Sequence, residues 1–167
     1  LARRDWGAAA PAVARAWKLC QRGYSHFPLN HVFGWYGPMH DAPVWPLHLE
    51  PADRPISPSW LIASHSTQEP FPASGDRIGE CFYYTYTLDE IVFLCRQMAR
   101  YWNRGVTILR QLLPGLAANA ERRRDIGVAT ALGIQFESGY NMLRFYALRE
   151  ELPWQPKAER QRTLAAM

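Results

Sequence analysis

From Thr87 to Leu152 the chain carries helical signals broken only at Pro114-Gly115, and this run constrains the fold more than any other feature. It begins with Thr87-Leu88-Asp89-Glu90, the pattern of a capping box. In that arrangement the Thr87 hydroxyl and the Glu90 carboxylate each meet a free backbone N–H. Acids in the first turn also suit the helix dipole. Leu88, Ile91, Val92, Cys95, Met98, Ala99, Trp102, Val106, Leu109 and Leu113 then trace one apolar face. A second long helix is expected from about Ala118 to Leu152, with Asn119 as its N-cap and Pro153 as its stop. Ile126, Ala129, Leu132, Phe136, Tyr140, Leu143 and Ala147 form its main stripe. Gly127, Gly133 and Gly139 lie inside it, and each costs up to about 1 kcal/mol against Ala. Three such losses point to close backbone approach by a neighbour. A further helix begins near Lys157.

At the other end, Val13, Ala16, Trp17 and Cys20 recur at helical spacing and predict a helix over about Ala9–Gln21. Pro11 is tolerated in a first turn, where its missing N–H is not needed. Gly23 is expected just past the end, as a left-handed cap.

Tyr24 to Tyr86 is a different regime. It holds nine of the thirteen prolines, all five histidines, and Trp35, Trp45 and Trp60. Prolines at 38, 43, 46, 51, 55 and 58 break any helix and forbid a central strand. Flexible linkers are poor in large apolar groups, so this stretch reads as a long ordered loop lying over something. Short strands are conceivable at His31–Tyr36 and Cys81–Tyr86. No strand–helix alternation occurs, which excludes a parallel sheet or a barrel. The expected fold is mainly α, a helical bundle with a long Pro/aromatic-rich loop. We divide it as an N-terminal helix (1–23), the loop (24–86) and a long-helix bundle (87–167), one domain overall. Both ends read as cuts from a larger protein.

The net charge of +4 is not a nucleic-acid signature. The densest basic run, Arg122-Arg123-Arg124, sits beside Glu121 and Asp125 and reads as a solvated helix face. No basic stripe interleaves with aromatics as base stacking needs. Cys20, Cys81 and Cys95 are odd in number and widely spaced, which favours a reducing compartment or no disulfide role. No apolar run is long enough to span a membrane.

Candidate chemistry is sparse. His26, His31, His40, His48 and His65 lack the short paired spacings of a metal site, and backbone-bonded loop histidines are the favoured reading. Neither a metal nor a cofactor is expected. Tyr36-Gly37-Pro38-Met39-His40-Asp41, followed by Pro43-Val44-Trp45-Pro46, sets aromatics beside an acid and an imidazole. Such a platform suits a sugar or another flat polar ligand, and it equally suits an aromatic loop packed on a bundle. Trp35, Tyr36, His40, Asp41 and Trp45 are therefore the candidate substrate-binding residues. Gly75–Glu80 matches no phosphate-binding pattern and reads as a turn. Gln135, Glu137, Asn141 and Arg144 are polar among apolar neighbours. They read as an intrahelical network or an interface, not as catalytic groups. No GxSxG elbow is present and no Cys has an activating context, so no catalytic residue is assigned.

Ala16-Trp17-Lys18-Leu19-Cys20, Tyr24-Ser25-His26-Phe27-Pro28, Tyr36-Gly37-Pro38 and Asn141-Met142-Leu143-Arg144-Phe145-Tyr146 together carry a resemblance. This chain resembles a stretch late in large bacterial glycoside-hydrolase-like proteins, which are similar to family 20 hexosaminidases with a TIM barrel. The resemblance implies a helical module C-terminal to the barrel, with the preceding catalytic domain as one partner and a carbohydrate as another. Glycoside hydrolysis needs two placed carboxylates, normally at barrel strand ends. No barrel lies in this sequence, so the aromatic loop would at most wall the substrate cleft. The alternatives are a non-catalytic structural or protein-interaction helical domain and a metal hydrolase built on the loop histidines.

Overall fold

The computed structural model describes residues 2–29, 47, 49–50 and 86–167. Its helices are α1 (Ala2–Trp6), α2 (Ala10–Tyr24), α3 (Leu88–Arg110), α4 (Ala120–Glu151) and α5 (Lys157–Ala166). No strand occurs among the described residues. The mainly α architecture expected from the periodicity is therefore the observed one. The two suggested strands, at 31–36 and 81–86, lie outside the described residues apart from Tyr86, which is in neither helix nor strand.

The caps form as the sequence indicates. Thr87 N–H donates to Glu90 Oε2 at 2.8 Å, and Glu90 N–H donates to Thr87 Oγ1 at 3.3 Å. At the start of α4, Arg122 N–H donates to Asn119 Oδ1 at 3.0 Å. Pro153 ends α4 in a 3-10 turn, Leu152–Trp154. Arg160 then reaches back from α5. Its Nε donates to the Gln155 carbonyl at 2.9 Å and its Nη2 to the Pro153 carbonyl at 3.2 Å. These bonds satisfy carbonyls that the helix end leaves open.

The chain divides into two compact units. The first comprises Leu1–Phe27 and Leu94–Glu137, the second Pro28–Phe93 and Ser138–Met167. The first unit has a core of Trp6, Ala10, Val13, Ala16, Leu109 and Ile126. α1 was not foreseen: five residues are too few to show a period. The 3-10 turn Gly7–Ala9 joins it to α2, and Gly7 takes φ 51, a conformation that favours glycine. Trp6 then meets Trp17 edge-on at 6.4 Å.

Two glycines bring α2 against α3. Gly23 is not a cap, as the sequence suggested, but lies inside α2 and is buried. A Cβ there would stand 2.8 Å from the Trp102 backbone nitrogen and 2.9 Å from the Met98 carbonyl oxygen. Gly105 of α3 is its counterpart: a Cβ would meet the Ala16 carbonyl oxygen at 2.7 Å and Cys20 Sγ at 2.6 Å. Each helix thus gives up a side chain where the other's backbone passes.

α4 joins the same unit through Trp102. The indole N–H donates to the Ala129 carbonyl at 2.8 Å, and the ring meets Phe136 edge-on at 5.0 Å. Gly133 faces the Trp102 and Asn103 side chains at the same contact. The predicted stripe therefore runs through Ile126, Gly133 and Phe136, all buried, and not through Leu132, which is 39% exposed. Gly127 departs from expectation as well, because nothing approaches it within 4 Å. In the second unit Ile91, Met142, Leu143 and Tyr146 are buried. The buried Arg149 places its guanidinium 4.5 Å from the Tyr146 ring centre.

Candidate functional site

The residues singled out for ligand binding, Trp35, Tyr36, His40, Asp41 and Trp45, lie outside the described residues, as do His31, His48, His65, Gly75–Glu80 and Cys81. His26 is described and behaves as a backbone-bonded histidine. Its Nδ1 lies 2.7 Å from the Arg22 carbonyl oxygen, and its ring stacks on Tyr101 at 5.7 Å. Arg22 covers the same Tyr101 ring at 4.2 Å. Among the described residues no group of three or more His, Cys, Asp or Glu side chains is placed to hold a metal ion.

The cysteines of α2 and α3 are structural. Cys20 and Cys95 are free and buried, and desolvation raises both thiols above their ordinary range. A thiol held neutral is a poor nucleophile. Of the polar residues on α4, Glu137 accepts a hydrogen bond from Asn103 Nδ2 at 2.9 Å. Its partner is on another helix, so Glu137 takes part in an α3–α4 tie. Among the described residues no helix is long and apolar enough to cross a membrane.

What the structure does present is a groove on the first unit. The end of α3 and the 3-10 turn after it supply Arg110 and Leu113, while α4 supplies Ala120, Arg123, Arg124, Gly127, Val128, Ala131 and Ile134, with Thr130 and the buried Ile126 at the edge next to the core. It is open and shallow, about 960 Å³. Residues 120, 124, 127, 131 and 134 recur at three- and four-residue steps, so they share one face of α4. That face is turned away from Trp102 and Phe136. Val128 and Ile134 are 62% and 60% exposed, which is high for branched apolar side chains on a long helix. α4 is thus apolar on two sides and covered on one.

The charges at this groove are of one sign. Arg122 takes the neighbouring carboxylates, with Nη2 2.6 Å from Glu121 and Nη1 2.8 Å from Asp125, and lies 5.5 Å over the Trp6 ring. The expected solvated basic run is therefore two exposed arginines beside one half-covered, ion-paired arginine. Arg110, Arg123 and Arg124 line the groove with no ion pair among the described residues.

The sequence points to Leu113, Arg123, Arg124 and Gly127 of this groove, but not to their grouping. Val128, Ala131 and Ile134 recur at three-residue steps on the reverse of the main stripe of α4, and that spacing is the signal the sequence offers for the groove. No family model, no characterised protein and no solved structure matches this chain.

Proposed function

We propose that this chain is a non-catalytic helical interaction module, and that the outer face of α4 is where it docks a protein partner. The observation that supports this reading most is the second apolar stripe, Gly127, Val128, Ala131 and Ile134, left uncovered on a helix whose opposite side is already packed. Contiguous exposed apolar surface rimmed by polar groups marks interaction sites on soluble domains. A photo-crosslinking residue in place of Val128, in the full protein in its own cell, tests it. The expected result is one adduct of fixed mass, absent when the probe replaces the exposed Lys18 instead. Adducts at both positions alike, or at neither, overturn the reading.

A second reading rests on the sequence from Tyr36 to Trp45 and on the glycoside-hydrolase resemblance. Here the module lies behind a catalytic barrel and its aromatic loop walls a sugar cleft, with Trp35, Tyr36 and Trp45 as stacking rings and His40 and Asp41 as polar contacts. Under it, Trp45→Ala weakens sugar binding without change in helical content. Equal affinity in the variant removes the loop from that role.

A further inference from the structure

We infer that the partner of the α4 groove is an acidic amphipathic helix. The inference rests on the docking role proposed above and adds the chemistry of what docks.

Shape comes first. The groove is walled by the end of α3 and the turn after it on one side and by α4 on the other. Its floor along α4 runs from Ala120 to Ile134, roughly 21 Å at the helical rise, or about four turns. A helix with apolar residues at i, i+3, i+4 and i+7 fits such a trough, which is the helix-in-groove mode of recognition. Gly127 strengthens the case. Glycine within a helix costs up to about 1 kcal/mol against alanine, and in this structure nothing within 4 Å explains it. It leaves room on α4 for an approaching backbone, the role Gly23 and Gly105 play between α2 and α3.

Charge comes second. Arg110, Arg123 and Arg124, with no ion pair among the described residues, line the groove, while the carboxylates of that turn, Glu121 and Asp125, are held by Arg122. A partner carrying carboxylates beside its apolar stripe would place them on these arginines. A basic partner would meet repulsion of the same reach. Arginine is also the side chain that grips carboxylates in a two-pronged fashion.

An anionic membrane offers the same sign of charge, but the groove fits it less well. Insertion into lipid favours bulky apolar groups projecting from a convex face, whereas these apolar groups line a trough that contains no aromatic ring. The missing rings also disfavour a nucleic acid, whose bases would have nothing to stack on.

The test uses two fluorescent peptides of about 18 residues with the same leucine stripe, one with glutamates and one with lysines on its remaining face. Fluorescence anisotropy with the full chain should show saturable binding of the glutamate peptide and at least tenfold weaker binding of the lysine peptide. Arg123→Glu with Arg124→Glu should invert that preference. Both positions are exposed, so the fold is kept, which circular dichroism verifies. Equal binding of the two peptides overturns the acidic assignment and leaves the docking face in place. Binding of neither peptide, when the Val128 probe still forms its adduct, has the same consequence. Co-sedimentation with phosphatidylserine vesicles, lost in the charge-reversed variant and unmatched by peptide binding, assigns the groove to a membrane surface and overturns the inference.

Discussion

The two faces of α4 are built from similar residues and meet different fates. Toward the core of the first unit the helix presents Ile126, Gly133 and Phe136, all three buried, with Ile126 also bordering the groove. On the reverse it presents Gly127, Val128, Ala131 and Ile134, and all four are exposed. α3 offers a useful contrast, because its apolar residues lie mainly on one side, with Phe93 (56% exposed) the large apolar exception on the other. Ile91, Cys95, Met98, Ala99, Val106 and Leu109 are buried, and the other side carries Arg96, Arg100 and Arg104 in solvent. A helix that serves one core needs one stripe. A helix with two stripes and one core has surface left for something else.

The sharpest way to break this comparison is to cut both faces of α4. Phe136→Ala should lower the unfolding free energy by about 3–5 kcal/mol in urea titrations, the usual loss for a buried ring. Val128→Ser should stay within about 0.5 kcal/mol of the parent, as exposed positions do. Comparable losses for the two would mean that both faces are core. The next largest effect concerns α2 against α3. Gly23→Ala places a methyl against backbone atoms of Trp102 and Met98, and overpacking of this kind costs about 1–3 kcal/mol. A neutral thermal shift would show that α2 and α3 separate more easily than their contact suggests. Smaller and opposite in sign, Gly127→Ala should stabilise by up to about 1 kcal/mol, since the added methyl meets nothing. Destabilisation there would mean that Gly127 already answers a constraint within this chain.

The smallest effect is the cap of α3. Hydrogen bonds from the Thr87 backbone N–H and then its hydroxyl lower the Glu90 carboxyl below its ordinary value of 4.5. A lowered acid in the folded state means that the unfolded chain binds the proton more readily. The stabilisation is therefore fully present above the unfolded value and fades as pH falls through the lower folded one. Glu90→Gln should be less stable than the parent at neutral pH, and the gap should close in acid, read as thermal midpoints across pH. A gap that stays constant would separate the cap from the charge on Glu90.

Local signals were legible and long-range ones were not. The capping box at Thr87, the Asn119 cap and the stop at Pro153 are written in adjacent residues, and each formed as read. Gly23 was misread as a cap because glycine near a helix end has a local explanation. Its actual reason, the backbone of α3, sits 79 positions away at Trp102. Leu132 was assigned to the buried stripe because leucine outranks glycine on any hydropathy count. Geometry chose Gly133, since only a residue without a side chain admits Trp102 and Asn103 so closely. The outer groove went unseen for a related reason. Once a helix has one convincing stripe, a second reads as background, and the lack of ion pairs at Arg110, Arg123 and Arg124 among the described residues depends on Arg122 having taken both nearby acids. The aromatic candidates at 35–45 rest on the local order of aromatics, acid and imidazole, and they lie outside the described residues.

A docking role for the outer face of α4 requires that it be covered in the cell and open in the isolated protein. Thiol labelling of Val128→Cys measures this directly, with Arg100→Cys on exposed α3 as the reference and mass spectrometry reading each labelled peptide separately. Val128→Cys should react at the reference rate in the purified protein and at least tenfold more slowly than the reference in intact cells. Equal rates at the two positions in both settings would contradict the docking role and leave α4 with an apolar face that nothing covers.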